Sequence, residues 1–203
     1  MIRQFVIIFV RLYNMCKQLL CFIVNHLVLS ANKVNYSSFP NIQGRLIIRN
    51  RGSFSLGKNI TFRCRLTSNF VGLYKPTTIY IKPNAILEIE DNSGFSGVSI
   101  YCSSHIKIGK YVNCGGNVSI WDTDFHPLNH NDRRLHNLKQ IASKPIIIED
   151  DVFIGANSII LKGITIGARS IIGAGSVVTK NIPCDEIWAG NPAKFIRRAS
   201  YEK

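Results

Sequence analysis

From Ile148 onward the aliphatic positions recur every six residues, at Ile148, Ile154, Ile160, Ile166, Ile172 and Val178, and small residues follow several of them, as in Ile154-Gly155, Ile166-Gly167 and Ile172-Gly173. In an α-helix a step of six turns the chain by about 600° and scatters these side chains over three faces, whereas the strand period of two divides six evenly. The repeat is therefore built from strands. Upstream it continues as Ile108-Gly109, Cys114-Gly115 and Ile120 in one phase, as Ile89-Glu90, Phe95-Ser96 and Tyr101-Cys102 in another, and as Leu56-Gly57 with Phe62 further back. One short strand with one inward aliphatic cannot make a core alone, so successive units must coil and stack. Three units per turn give a triangular prism, a parallel β-helix of the all-β class, with coils about 4.8 Å apart.

Two features interrupt the count. The seven-residue step from Tyr101 to Ile108 predicts a bulged corner, and between Ile120 and Ile148 the period fails, so a loop leaves the prism at 122–145. That loop is polar, and long excursions from a regular scaffold carry function. At the near end Gln4, Arg11, Gln18 and Asn25 recur every seven residues, with Arg3, Asn14, Lys17 and His26 alongside, an amphipathic helical pattern. A spanning helix is disfavoured by Arg11 and Lys17 at its middle, and a signal peptide by the end of the first apolar run at Arg11. Packing on a trimer and lying on a membrane surface both suit this helix. At the far end Asn191 reads as a helix cap and Pro192 as a first helical position, which predicts a short basic helix over roughly 192–199. The expected division is 1–43 for the helical extension, 44–183 for the prism and 184–203 for the tail.

The chain has 203 residues, 46% hydrophobic and 18% charged. That is ample for one domain, and the charge content lies below the roughly 25% of ordinary globular chains, which favours self-association. The net charge of +13 is uneven: residues 1–87 hold twelve Lys or Arg and no acid. Such asymmetry favours an anionic neighbour. Neither aromatic-interleaved RNA motifs nor a zinc-finger spacing is present, so nucleic acid is not the expected partner. Cysteines 16, 21, 64, 102, 114 and 184 show no paired spacing, which suits a reducing cytoplasm.

Ile120 followed by Asp124, Phe125, His126, Pro127 and Leu128, then IIIEDDVFIGANSIILKGITIGARSIIGAGSVVTKNIP at 146–183, then GNPAK at 190–194, together resemble the hexapeptide-repeat acyltransferases. Within that family the resemblance is to the galactoside and maltose O-acetyltransferases and the polysaccharide O-acetyltransferases. The resemblance covers Ile89 to Lys203 and leaves 1–43 outside it. It implies left-handed coiling, against the usual hand of parallel crossovers. It also implies a homotrimer with active sites between prisms, and transfer of an acetyl group from acetyl-CoA, held as cosubstrate, to a hydroxyl.

On the resemblance, His126 aligns with the family's catalytic base, and an imidazole with pKa near 6.5 suits removal of a proton from an alcohol at neutral pH. Asp122 or Asp124 would orient the imidazole or cap the turn before the loop. Gly155, Ala156, Gly173 and Ala174 match positions where the family sets backbone against pantetheine. Thr179, Lys180, Lys194 and Arg197 match positions near the CoA phosphates. Phe153 stands where many relatives carry Trp; it retains the stacking surface but lacks the indole N–H. The acidic and polar residues that hold the acceptor in small-sugar acetyltransferases have no counterpart in the acid-free N-terminal region. The expected acceptor is accordingly a glycan or glycolipid-linked sugar, in capsule, exopolysaccharide or lipopolysaccharide modification, at the inner face of a membrane reached through residues 1–30. N-acetyl transfer to an amino sugar and a non-catalytic sugar-binding prism stand as alternatives. A zinc carbonic anhydrase needs three His ligands, and His26, His105, His126, His130 and His136 show no such spacing, so no metal is expected.

Overall fold

The computed structural model describes residues 2–200. Short parallel strands form three sheets, one per side of a triangular prism. Each coil contributes one strand to each face; the third, for example, runs through 86–89, 94–96 and 99–102. The first face ends with 146–148 and 165–166, the second with 153–154, 171–172 and 186–189, and the third with 119–121, 159–160 and 177–178.

Inward side chains stack in register from coil to coil. Leu56, Ile89, Ile108, Ile148 and Ile166 form one buried row. Phe62, Phe95, Cys114, Ile154 and Ile172 form a second, with the Phe62 and Phe95 rings stacked at 5.3 Å. A third runs from Ile79 through Ile100, Ile120 and Ile160 to Val178. Like aliphatics set directly above one another exclude water along the whole axis, and truncating one fully buried Ile to Ala costs about 2–5 kcal/mol. Between the first and second faces the chain turns through a residue with positive φ on successive coils: Asn92, Tyr111, Asp151, Arg169 and Asp185. Asn and Asp accept that conformation more readily than most residues.

Helix α1 (Ile2–Ala31) closes one end. Leu29 is fully buried against the first coil, and the Asn25 side chain donates to Gly44 O at 2.7 Å and accepts from Leu46 N–H at 3.0 Å. These bonds satisfy backbone groups that no further coil pairs. The first coil begins at Asn35, nine residues before the expected boundary at 44.

Three expectations are corrected. Tyr101 points outward, with Ile100 and Cys102 buried on either side of it; the register shift lies instead between Cys114 and Gly116, opposite Ser96. The prism also continues past 183, because Glu186–Ala189 pairs with 171–172 as a further strand of the second face. Finally, no C-terminal helix forms at 192–199. Lys194–Arg198 is a strand that folds back antiparallel onto Glu186–Ala189, with Phe195 edge-on to Trp188 at 6.5 Å. Pairing an otherwise open sheet edge outweighs the capping signal of Asn191 and Pro192.

Candidate active site

The loop that breaks the repeat leaves the corner between the third and first faces, after 119–121, and returns at 146–148. Its neck is zipped by backbone bonds from Asp124 N–H to Ala142 O (3.1 Å) and from Lys144 N–H to Asp122 O (3.0 Å), with a bridge between Thr123 and Ser143. Asp122 follows the row Ile81, Cys102 into the interior and is fully buried. Its carboxylate accepts from Ser103 N–H at 2.6 Å and Ser104 N–H at 2.7 Å. Burial pushes its pKa up, and these backbone donors pull it back only in part.

Asp124 forms an ion pair with Lys162 at 2.6 Å, largely shielded from solvent, while its other oxygen, Oδ2, is buried without a hydrogen-bond partner. Neither carboxylate is hydrogen-bonded to His126: Asp122 pins the turn beneath the loop, and Asp124 ties the neck to the next coil.

Between neck and helix the backbone around His126 is held from both sides. Phe125 adopts a left-handed conformation (φ +64°) that turns its ring onto Tyr101 and Trp121, at 4.7 and 5.5 Å. Beyond it, the Arg133 guanidinium donates to the carbonyls of Pro127 (3.0 Å) and Leu128 (2.5 Å). Arg133 belongs to a short helix, α2 (His130–Arg134), capped by the Asn129 side chain accepting from Asn131 N–H at 2.8 Å. His126 itself is exposed, and among the described residues its imidazole makes no hydrogen bond. An exposed imidazole on a braced backbone suits a proton acceptor that meets its substrate from outside the chain.

The expected donor-side residues divide between two corners. Thr179 and Lys180 are exposed at the same corner as the His126 loop, one coil beyond Leu161 and Lys162. Gly155, Ala156, Gly173 and Ala174 lie at the next corner, between the second and third faces. There the coils approach so closely that a Cβ on Gly155 would sit 2.5 Å from Ala174 N, and one on Gly173 would sit 2.7 Å from Ala189 Cβ. Gly155 is buried between the coils, and Ala174 is exposed at the corner. Phe153 projects from the second face, 46% exposed, in register with Asn113 and Ile171. Lys194 and Arg197 are exposed on the terminal strand of that face. A single chain therefore sets His126 on one edge of the third face and the Gly155–Ala156 and Gly173–Ala174 corner on the other.

Sequence reasoning missed Lys162, Phe125 and Arg133. Lys162 carried a usable signal, since it stands 18 residues, three repeat units, before Lys180. Arg133 carried none, because its role depends on how the loop closes. Among the described residues no group of three or more His, Cys, Asp or Glu side chains is placed to hold a metal ion. His105 bonds Glu88 at 2.8 Å, and His26 packs beside Phe39 at the helical end.

Residues 145–180 match the family description "Hexapeptide repeat of succinyl-transferase". Residues 145–180 thus carry hexapeptide repeats, and the chain has the left-handed β-helix fold. A 2,3,4,5-tetrahydropyridine-2,6-dicarboxylate N-acetyltransferase of Staphylococcus aureus (strain JH9) is 49% identical over 59 residues, which are 29% of this chain and 25% of that protein. The match thus spans about a quarter of the length of the curated relatives. A hexapeptide-repeat-containing acetyltransferase from Vibrio cholerae is 35% identical over 56% of this chain and 63% of its own, with a TM-score of 0.51. A point mutant of AntD, an N-acyltransferase from Bacillus cereus solved with dTDP and coenzyme A, shares the fold across 82% of this chain and 84% of its own, at 18% identity and a TM-score of 0.63.

Proposed function

We propose that this protein is a trimeric, acetyl-CoA-dependent O-acetyltransferase that acts on a hydroxyl of a sugar within a glycan or glycolipid, with His126 as general base. The observation that carries the reading is the exposed imidazole on a loop braced by Phe125 and Arg133, at the corner that also bears Lys180. In this reading a neighbouring copy brings its Gly155–Ala156 and Gly173–Ala174 edge against the His126 corner. The acceptor hydroxyl attacks the thioester carbonyl while its proton passes to the His126 imidazole. The tetrahedral intermediate then collapses, breaking the C–S bond, and the departing CoA thiolate takes up the proton. No acyl-enzyme is required.

Lys180 and Thr179 of one corner, with Lys194 and Arg197 of the second face, supply charge and hydrogen bonds for the CoA phosphates. Phe153 offers a flat apolar surface to the donor's pantetheine arm. A cytoplasmic site suits the thiols, since Cys64, Cys102 and Cys114 are unpaired and packed in the core as small apolar residues. The Staphylococcus aureus relative is an N-acetyltransferase, so transfer to an amine of an amino sugar is the second reading.

The deciding experiment follows thiol release from acetyl-CoA by the purified protein with free sugars, amino sugars and glycolipid-linked oligosaccharides as acceptors. Release with hydroxyl acceptors alone supports the first reading, and release confined to amino sugars replaces it with the second. Absence of CoA binding would refute both.

A further inference from the structure

Among the described residues, helix α1 meets the prism through its last turns. Asn25 bonds the first coil, Leu29 is buried in it, and Phe22 and His26 pack against Phe39, at 4.9 and 5.8 Å between ring centroids. Asn25 shares its helical stripe with Gln18, Asn14 and Arg11, and this polar stripe is the side turned toward the body of the protein. Gln18, Phe22 and Asn25 face Arg65, Thr67 and Ser68 across a cleft of about 750 Å³.

The opposite side carries Phe9, Leu12, Leu19, Leu20, Ile23 and Leu27, each between 47% and 71% exposed. A surface helix of a soluble domain turns its apolar stripe inward. Here the stripe is inverted, and the apolar face is far larger than the scattered exposure ordinary at surfaces.

Charge indicates what covers it. The twelve Lys and Arg with no acid in residues 1–87 include Arg11 and Lys17 on the helix itself. A basic, acid-free N-terminal segment that carries a broad apolar face complements an anionic lipid interface. The segment Phe9–Ala31 is long and apolar enough to cross a bilayer, but crossing would bury Arg11, Asn14, Lys17 and Gln18 in hydrocarbon. Lying in the plane of the interface leaves that stripe among headgroups and water.

We infer that α1 is an in-plane membrane anchor, its Phe9/Leu12/Leu20 face in the acyl boundary of an anionic bilayer and its polar stripe toward the prism. The inference is independent of the acetyltransferase reading.

The test is co-sedimentation of the full chain with vesicles of phosphatidylcholine, with and without about a quarter phosphatidylglycerol. The comparison is with Leu12→Glu/Leu20→Glu, which spares Asn25 and Leu29, and light scattering gives each protein's mass in solution. The expected result is capture at least about tenfold stronger on anionic vesicles, weakened by about 0.5 M salt, and loss of about tenfold or more in the double variant at unchanged mass. Equal capture of both proteins would overturn the inference. So would failure of the wild type to sediment together with a lower mass for the variant, since the face would then join copies of the chain.

Discussion

Removing the Lys162 ammonium should loosen the His126 loop more than removing its partner's charge. Lys162 Nζ meets Asp124 Oδ1 at 2.6 Å, with only 24% and 18% of the two side chains exposed, and Asp124 Oδ2 is already buried without a partner. In Lys162→Met the carboxylate keeps its place and loses its counter-charge. A lost hydrogen bond to a charged group costs about 1.5–3 kcal/mol, and the partial exposure places the expectation near 2 kcal/mol. In Asp124→Asn, by contrast, the long lysine stem lets the ammonium swing into water, so the cost falls to roughly 1 kcal/mol or less.

The neck bonds Asp124 N–H to Ala142 O and Lys144 N–H to Asp122 O report the opening directly. A change of about 2 kcal/mol in local opening raises the open population roughly 30-fold, so amide exchange at Asp124 and Lys144 should accelerate by about that factor in Lys162→Met. Exchange at Ile120 and Ile160, inside the prism, should stay as in the wild type. Unchanged exchange at the neck, or equal acceleration throughout the third face, would refute the assignment of this pair to the loop.

Other expectations follow from the same geometry. Gly155→Val places a Cβ where Ala174 N lies 2.5 Å away, so it should destabilise by about 1–3 kcal/mol and lower the thermal midpoint by several degrees; an unchanged midpoint contradicts the close approach of the coils. Lys180→Glu should weaken CoA binding in calorimetric titration, with a smaller effect at high salt, and equal affinity would remove Lys180 from the donor site. In native protein near pH 8, exposed Cys16 and Cys184 should react first with a thiol reagent, whereas Cys102 and Cys114, whose thiols burial pushes up to about 12, should react only on unfolding. Rapid labelling of Cys114 in the folded protein would contradict the packed core.

The prism was legible because its signal is both local and repeated. Ile148 through Val178 are inward at every sixth position, as the spacing predicted, since one aliphatic per short strand is the whole content of the repeat. The pattern misled where two adjacent residues were equally plausible inward. Tyr101 kept the six-residue count from Phe95, but Ile100 and Cys102 hold the interior, and their register is set by strands 78–81 and 119–121 on either side. The tail misled for a related reason: Asn191 and Pro192 carry a helix-start signal, and only the open edge of Glu186–Ala189, invisible in sequence, makes a strand the better outcome.

At the candidate site the isolated polar loop and His126 stood out by breaking the period. The fate of Asp122 did not, because its neighbours Ser103 and Ser104 lie almost twenty residues away in sequence and come beneath it only when the coils stack. The separation of His126 from the Gly155–Ala174 edge was equally hidden, since it depends on which corner each repeat unit reaches.

The most direct test of the account compares wild type with His126→Ala in acetyl-CoA thiol release, using the acceptor that the wild type prefers, with solution mass and CoA affinity measured alongside. Turnover about 10²–10⁴-fold lower, at unaltered mass and CoA affinity, is the result the account predicts. Turnover equal to wild type would contradict it, because the only group assigned to remove the acceptor's proton would then be dispensable.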